Sequence, residues 1–241
     1  MVSADLARNV VGVIGNVISV ILFLSPVPTF YTIWKKKAVE SFSPIPYLVT
    51  FVNCGLWVFY GLPLVHPHSL LVTTTNGAGM VIESVYILIF IIYSVRSKRI
   101  MVLWVLLAEV IFLAVLVIVV LTVTHSTNVR SAIVGGIAIA GNIAMYASPL
   151  SVWKMVITTK SVEYMPFLLS LFSFANGVCW FSFAFIRFDP YLAVPNGLGV
   201  LFGSIQLIIY ACYYKSTQKI IANRQGNGEV SLGNVATSSN A

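Results

Sequence analysis

The chain contains an internal duplication of about 120 residues, which constrains its fold more than any single motif does. The segment at residues 160–166 reads KSVEYMP and repeats the segment at residues 37–46, which reads KAVESFSPIP. The lysine, valine and glutamate of the two copies lie 123 residues apart, whereas the final prolines lie 120 residues apart. A Ser-Pro pair precedes each copy and an Asn-Gly pair follows each copy, so one folding unit occurs twice.

The composition places the duplicated unit in a lipid bilayer. Hydrophobic residues make up 59% of the 241-residue chain and charged residues only 9%, with a mean hydropathy of +0.94. A soluble domain carries about 25% charged residues, so this chain has too few polar groups to cover a surface in water. Seven segments are apolar over the ~20 residues that a helix needs to cross the hydrocarbon core. We predict spanning helices at residues 10–33, 47–64, 70–95, 101–124, 131–153, 167–186 and 191–214.

The duplication groups these spans as three, one and three. Residues 10–95 form the first three-helix repeat, residues 131–214 form the second, and the helix at 101–124 has no counterpart. A three-span unit begins on one side of the membrane and ends on the other, so a single linker helix lets the second copy insert in the same orientation. We predict an all-α membrane protein of two parallel repeats joined by a linker helix. Residues 215–241, which are rich in Asn, Gly and Ser, are predicted to be a disordered cytosolic tail.

The basic residues are distributed unevenly between the two sides of this arrangement. Eleven Lys and Arg residues follow spans 1, 3, 5 and 7, whereas only Arg8, Arg130 and Arg187 lie on the opposite side. The positive-inside rule therefore places the amino terminus outside and the carboxyl terminus in the cytosol. The basic residues lie in separate short loops, so the net charge of +7 indicates contact with anionic lipid and does not indicate nucleic-acid binding.

Matched polar and aromatic residues inside the repeats are the candidate ligand-binding residues. Asn53 and Trp57 lie four residues apart on one helical face, and Asn176 and Trp180 repeat the pair at an offset of 123. An aromatic ring with an amide one turn away can stack on a sugar and hydrogen-bond it, although ordinary interhelical packing explains the same spacing. In the third span, the amide of Asn76 offers two donors and an acceptor, which suits an uncharged ligand rich in hydroxyl groups.

Two carboxylates lie inside predicted spans. Glu83 is seven residues from Asn76 and so lies roughly on the same helical face. An ionisable group at this depth is a functional-site hypothesis by default, and a buried acid that hydrogen-bonds a neighbouring span is the competing interpretation. Glu109, in the linker helix, is interpreted as a structural hydrogen-bonding group.

The sequence lacks the motifs of an enzyme. It contains no Gly-rich phosphate loop, no Cys/His metal spacing and no Ser/His/Asp set on a common side of the membrane. The three histidines, His66, His68 and His125, lie in predicted outer loops and are interpreted as solvated loop residues. We therefore predict neither catalysis nor a metal site nor a cofactor.

Two prolines interrupt spans at the same position of each repeat. Pro26 lies in span 1 and Pro149 lies 123 residues later in span 5. A proline inside a helix removes a backbone hydrogen bond and clashes with the preceding turn, which bends the helix. A static packing kink would explain one such proline, and the matched pair favours a hinge or a cavity.

With these motifs in place, the chain resembles the SWEET sugar transporters of plants, in the MtN3/saliva superfamily. The likeness covers residues 10–214 and rests on the phrases at residues 24–30, 82–86, 146–151 and 160–166, which occur in order within the 3+1+3 plan. The resemblance implies bidirectional, proton-independent facilitated diffusion of a sugar by alternating access.

The resemblance also implies roles for individual residues. Those implied to bind the sugar are Asn76, Asn196, Trp57, Trp180, Asn53 and Asn176; those implied to form hinges and gates are Pro26, Pro46, Pro149, Pro166, Tyr60 and Asp189. Met145, beside the expected pocket, is bulkier than the residue found in sucrose carriers, so a monosaccharide such as glucose is the expected substrate.

Several alternatives remain open at this point. One is a sucrose-preferring carrier, and another is a proton-coupled carrier of small solutes that uses Glu83. A seven-helix receptor has the same topology, but the internal repeat and the very short loops argue against it. We expect the plasma membrane as the location, with an intracellular membrane as the alternative, and association of several copies of the chain is a further hypothesis.

Overall fold

The computed structural model describes residues 3–238, and it describes their side chains except at residues 147, 148 and 226–238. Every element in this part of the chain is a helix. The elements are α1 (Ala4–Phe23), α2 (Val27–Lys36), α3 (Ile45–Gly61), α4 (Leu70–Tyr93), α5 (Arg96–Val123), α6 (Thr127–Met145), α7 (Ala147–Thr159), α8 (Phe167–Ile186) and α9 (Pro190–Ser238).

The helices match the predicted spans in number and order. Within the described residues, six helical segments are long and apolar enough to cross a membrane, if α1 with α2 and α6 with α7 are each taken as one bent segment. The seventh, α3, is a shorter apolar helix of 17 residues, which is at the lower end of the ~17–25 residues that span a bilayer.

Six helices pack as a closed ring. In the first repeat α4 lies between α1 and α3, and in the second repeat α9 lies between α6 and α8. The repeats join at two seams, one between α3 and α6 and the other between α8 and α1. The linker α5 packs on the outside of the ring against α3, α4 and α6. This arrangement confirms the predicted 3+1+3 plan.

The two ends of the bundle are distinguished by their loops. The loops at residues 62–69, 124–126 and 187–189 lie at the end that also carries the amino terminus, here called the amino-terminal end. The loops at residues 37–44, 94–95 and 160–166 lie at the opposite end, here called the lysine-rich end.

The duplicated phrase forms the same turn in both repeats. Lys37 and Lys160 end α2 and α7 in the left-handed conformation, with φ of 56° and 55°. Such a residue commonly terminates a helix, although it is usually glycine. Val39 and Val162, two residues later, are both buried. The phrase therefore ends a helix and anchors the loop that follows.

The four candidate hinge prolines take two different positions. Near Pro26 and Pro149 the helix is interrupted, and the backbone uses tighter bonds from Ser25 N to Leu22 O and from Tyr146 N to Ile143 O, each 3.1 Å long. Pro46 is the second residue of α3, and Pro166 immediately precedes α8. A helix start has free N–H groups in any case, so a proline there removes no intrahelical bond.

The carboxyl-terminal helix extends beyond the predicted start of the disordered tail at residue 215. Residues 215–225 continue α9, and the Thr217 hydroxyl, which is buried, accepts the backbone N–H of Val162 over 2.8 Å. Arg224 pairs with Glu163 at 3.0 Å. These contacts with the 160–166 loop favour an ordered helix despite the polar composition. Residues 239–241 of the predicted tail lie outside the described residues.

Candidate functional site

A cavity of about 140 Å³ lies inside the ring of helices. All six residues predicted to bind the ligand line it, namely Asn53, Trp57, Asn76, Asn176, Trp180 and Asn196. Ser19 and Asn142 also line it and were not predicted. The cavity therefore combines two tryptophans with five asparagines, and it carries no charged side chain in its described lining.

The two central asparagines are held in the same way. Asn76 Nδ2 donates to Val72 O over 2.9 Å, and Asn196 Nδ2 donates to Leu192 O over 2.8 Å. Each bond ties the amide nitrogen to the residue four positions earlier in the same helix. The amide oxygens, which have no hydrogen-bond partner among the described residues, are left to accept hydrogen bonds from hydroxyl groups of a ligand.

The two tryptophans are buried and have matched ring contacts. Trp57 packs edge-on against Tyr60 with ring centroids 5.3 Å apart, and Trp180 packs edge-on against Phe183 at 5.2 Å. The rings provide apolar surface on opposite repeats, and the nearby amides provide polar atoms. This combination suits a sugar, which presents C–H faces and hydroxyl edges.

The paired amides beside the tryptophans are not equivalent. Ser19 Oγ donates to Asn176 Oδ1 over 2.7 Å. Asn53, the matched residue of the first repeat, has a buried Oδ1 without a hydrogen-bond partner in the described part of the chain. Two walls of similar composition therefore offer a ligand different hydrogen-bonding groups.

Tyr60 and Asp189, for which the resemblance implied a role in an outer gate, are in contact at the amino-terminal end. The Tyr60 hydroxyl lies 2.8 and 2.9 Å from the two carboxylate oxygens of Asp189 and donates its proton to them. Asp189 also caps α9, because its Oδ1 accepts the N–H groups of Tyr191 and Leu192 over 3.0 and 3.3 Å. Both partners are buried, and the bond joins α3 of the first repeat to the start of α9.

His66 belongs to this contact, which corrects its interpretation as a solvated loop residue. Its ring stacks on Tyr60 with centroids 4.8 Å apart, and Nε2 lies 3.2 Å from Asp189 Oδ2. Its Nδ1 lies 2.9 Å from Ser131 Oγ, which itself donates to Val65 O over 2.7 Å. We call Tyr60, His66, Ser131 and Asp189 the amino-terminal gate.

The charge state of His66 depends on its surroundings. Burial lowers the pKa of His66, the nearby Asp189 carboxylate raises it, and the positive charges of Arg8 and His68 lower it further. The net direction is downward from the ordinary value of 6.5. The sequence does not distinguish the three histidines, because only packing separates the half-buried His66 from the exposed His68 and His125.

Arg8 joins the two repeats near the gate. Its side chain is buried, its Nε donates to Phe183 O over 3.3 Å, and its guanidinium lies 3.8 Å from the centre of the Phe183 ring. Its Nη1 donates to the carbonyl of His68 in the first repeat. Arg8 therefore connects α1, the 62–69 loop and α8.

Among the described residues, no side-chain hydrogen bond at the lysine-rich end joins one repeat to the other. Lys37 Nζ contacts Tyr93 Oη over 3.2 Å in the first repeat, and Lys160 Nζ contacts Tyr213 Oη over 3.5 Å in the second. The Arg224–Glu163 pair joins the extension of α9 to the 160–166 loop of the second repeat. The repeats are therefore bonded to each other at the amino-terminal end and at the depth of the cavity.

Glu83, Glu109 and Met145 do not line the cavity. Glu83 shares a helical face with Asn76, but seven residues correspond to about 10 Å along a helix axis, which places it beyond the cavity. The Oε2 atoms of Glu83 and Glu109 are buried without hydrogen-bond partners among the described residues. Within the same residues, no group of three or more His, Cys, Asp or Glu side chains could hold a metal ion.

Comparison with known proteins gives consistent matches. A family model described as "Sugar efflux transporter for intercellular exchange" matches residues 9–98 and 132–218. The chain is 56% identical over 225 residues to the bidirectional sugar transporter SWEET4 of Oryza sativa subsp. indica, covering 93% of this chain and 87% of the relative. It is 54% identical over 222 residues to SWEET7 of Arabidopsis thaliana, covering 92% and 86%. A solved structure of a eukaryotic SWEET transporter superposes with a TM-score of 0.86 at 38% identity, covering 88% of this chain and 99% of that one.

Proposed function

Because the chain belongs to the SWEET family of sugar transporters, we propose that it carries a sugar across a membrane in both directions by facilitated diffusion. The observation that carries this proposal is the cavity, to which the first repeat contributes one tryptophan and two asparagines and the second repeat one tryptophan and three asparagines, with no charged side chain in its described lining. Uncharged donors and acceptors beside aromatic rings bind hydroxyl-rich ligands, and they offer no group that would couple transport to an ion.

Alternating access follows from the way in which the repeats are joined. The amino-terminal gate and Arg8 hold the repeats together at one end, whereas the named bonds at the lysine-rich end lie within single repeats. We propose that the structure corresponds to the state in which the amino-terminal end is closed. Opening that end requires the Tyr60–Asp189 bond to break, and bending at the interrupted helices would accompany it.

The size of the cavity favours a monosaccharide such as glucose. A volume of about 140 Å³ lies below the ~300–1,000 Å³ of pockets that hold drug-sized ligands. A disaccharide would need the walls to move apart, whereas a hexose needs less space. We therefore propose hexose preference over sucrose preference.

Transport into proteoliposomes tests this function directly. We expect glucose to equilibrate across the membrane, to show counterflow when the vesicles are preloaded with unlabelled sugar, and to be carried better than sucrose. Wild-type protein that carries neither sugar under these conditions would refute the proposal.

The central asparagines provide the matched test of the site. We expect Asn76→Ala and Asn196→Ala each to lower transport efficiency about 10- to 100-fold, because a buried hydrogen bond to a ligand hydroxyl is lost. Asn128→Ala, at an exposed asparagine of α6, is the control and should transport like the wild type. Equal effects at all three positions would contradict a binding role for Asn76 and Asn196.

A proton-coupled carrier is the second candidate, and one observation favours it. Glu83 is a buried carboxyl group inside a spanning helix, and its Oε2 has no partner among the described residues. Under this alternative an imposed pH gradient would drive sugar accumulation, and Glu83→Gln would abolish the accumulation but keep counterflow. Uptake that equilibrates without accumulation at every pH gradient would exclude it.

Location, orientation and assembly complete the proposal. The excess of Lys and Arg at the lysine-rich end supports a cytosolic position for that end and for the carboxyl terminus, with the amino terminus outside. We propose the plasma membrane as the site of action. We also propose that the outer surface of α5, which is apolar and faces away from the ring, contacts a second copy of the chain. Cross-linking of the protein in native membranes tests for such an oligomer.

A further inference from the structure

The indole N–H groups of the two cavity tryptophans are each held by the opposite repeat. Trp180 on α8 donates to Ser19 Oγ of α1 over 3.2 Å, and Trp57 on α3 donates to Asn142 Oδ1 of α6 over 3.4 Å. Ser19 and Asn142 are 123 residues apart, as are the two tryptophans. A hydrogen bond from an indole N–H to the opposite repeat therefore occurs at both seams, with a serine as the acceptor at one seam and an asparagine at the other.

The seam at Ser19 is tightly bonded. The buried Ser19 hydroxyl accepts from Trp180 and donates to Asn176 Oδ1 over 2.7 Å, so its proton and one lone pair are both used. The neighbouring Gly15 lets the indole approach the backbone, because a Cβ at this position would lie 3.1 Å from Trp180 Nε1. Trp180, Asn176 and α1 thus form one hydrogen-bonded wall.

The seam at Asn142 is looser. A distance of 3.4 Å from nitrogen to oxygen is longer than the usual range of about 2.7–3.2 Å, so this bond is weak. The Asn142 amide makes no second hydrogen bond among the described residues. Asn53, the counterpart of Asn176, is likewise without a partner at its buried Oδ1. Trp57 and Asn53 form the corresponding wall on the other side of the cavity, here called the Trp57 wall. It therefore has fewer hydrogen bonds to break when its side chains rotate.

We propose that Ser19 and Asn142 are positioning residues for the tryptophans of the opposite repeat, with Ser19 fixing Trp180 and Asn176 as a rigid wall and Asn142 leaving Trp57 adjustable. The ligand meets the Trp180 wall preformed and orders the Trp57 wall as it binds, which lowers the entropy cost at one wall only. This positioning role rests on the proposed function only in taking the ligand to be a sugar. The mobility of the two tryptophan rings can be measured without any sugar.

Fluorine NMR of protein labelled with 5-fluorotryptophan measures this mobility. The chain has five tryptophans, and the Trp57 and Trp180 signals are assigned from Trp57→Phe and Trp180→Phe. In the wild type without sugar we expect a narrow Trp180 signal and a Trp57 signal broadened by exchange. Ser19→Ala should shift and broaden the Trp180 signal and leave Trp57 unchanged, whereas Ser19→Thr, which keeps a hydroxyl, should restore it.

Transport kinetics provide the second measurement. We expect Ser19→Ala to raise KM about threefold to tenfold with a smaller change in maximal rate, because a disordered wall must be ordered by the sugar. Asn142→Ala should raise KM by less than Ser19→Ala. Ser204→Ala is the control, because among the described residues the Ser204 hydroxyl bonds only Val200 O of its own helix, over 2.8 Å. It should change neither the Trp180 signal nor KM.

The outcomes separate this role from the proposed function. A Trp180 signal that is unchanged in Ser19→Ala, or that changes equally in Ser204→Ala, overturns the positioning role even if sugar transport is normal. A Trp57 signal as narrow as that of Trp180 overturns the assigned asymmetry. Failure of the wild type to carry sugar, with the expected Trp180 response, refutes the function and leaves the positioning of the rings standing.

Discussion

At the scale of single residues, Asp189 gathers the interactions of the amino-terminal gate. Its carboxylate accepts the Tyr60 hydroxyl and two backbone N–H groups, and the His66 ring lies against it. A buried carboxylate is tolerated only when such donors surround it. His66 is the titratable neighbour whose pKa burial lowers from the ordinary value of 6.5, so the protonation of this one ring affects the gate.

Acidification is expected to open the gate. The pKa of His66 is lowered by burial when the gate is closed and returns towards about 6.5 when the ring is solvated. Protons therefore bind the open form more tightly, and closure is favoured above that pH and loses stability as the pH falls below it. Spin labels are attached to cysteines introduced at the exposed residues Leu64 and Phe188. Double electron–electron resonance measures the distance between the two labels, which should lengthen when the gate opens.

Two variants isolate His66 in this pH dependence. His66→Gln should flatten the change of the distance distribution with pH, since glutamine does not titrate. His125→Gln changes an exposed histidine of the same end and should leave the pH dependence intact. A pH dependence that survives His66→Gln would assign the effect to another group.

At the scale of helices, the four prolines divide into two that interrupt helices and two that begin them. Pro26 lies in the break between α1 and α2, and Pro149 lies three residues after the break between α6 and α7. Pro46 and Pro166 lie at helix starts, where the Thr50 and Ser170 hydroxyls donate to their carbonyls over 2.8 and 3.1 Å. The interrupting prolines lie at breaks between helices that follow each other almost without a loop, so they are the better candidates for bending.

Replacement of the interrupting prolines should slow the exchange between states. We expect Pro26→Ala and Pro149→Ala to lower counterflow about tenfold, because a continuous helix resists bending, while the Kd for glucose changes less than about twofold. Pro46→Ala and Pro166→Ala should have smaller effects. Pro28→Ala, near the start of α2, is the control. Equal losses at all five positions would argue against separate roles for the two pairs.

At the scale of the whole molecule, the ring has two seams and an asymmetric set of bonds across them. Tyr60–Asp189, Arg8–Phe183 and the bonds of the tryptophans cross between repeats at the amino-terminal end and at the cavity. The repeats are therefore clamped at one end of the bundle. A carrier of this construction alternates by breaking one set of contacts and making another at the opposite end.

Removal of the Tyr60 hydroxyl should shift the molecule towards the open form. Tyr60→Phe keeps the ring contacts with His66 and Trp57 but leaves Asp189 without its hydroxyl donor. We expect the ratio of open to closed molecules, measured with the same spin labels, to rise about tenfold. Tyr31→Phe, at an exposed tyrosine of α2, should leave the ratio unchanged. An unchanged ratio in Tyr60→Phe would show that the hydroxyl does not hold the gate.

Much of the site could be anticipated from the sequence because its residues recur in register. Hydropathy located the helices, and the repeat paired Asn76 with Asn196 at an offset of 120 and Trp57 with Trp180 at an offset of 123. The offset of 123 also pairs Ser19 with Asn142, but a serine and an asparagine differ too much in chemistry to be identified as a functional pair. Their common role depends on hydrogen bonds to the other repeat, which the offset does not encode.

Hydropathy and repetition are properties of the linear chain, so the membrane environment, the 3+1+3 plan and the polar and aromatic residues available to a ligand follow from the sequence. Which of these residues face each other depends on the packing of the helices. Closure of the ring packs α1 against α8 and α3 against α6. In the packed ring His66 contacts Asp189, Trp180 donates a hydrogen bond to Ser19, and Glu83 lies beyond the cavity. Each of these contacts joins residues far apart in the chain, and their geometry depends on how the two repeats pack.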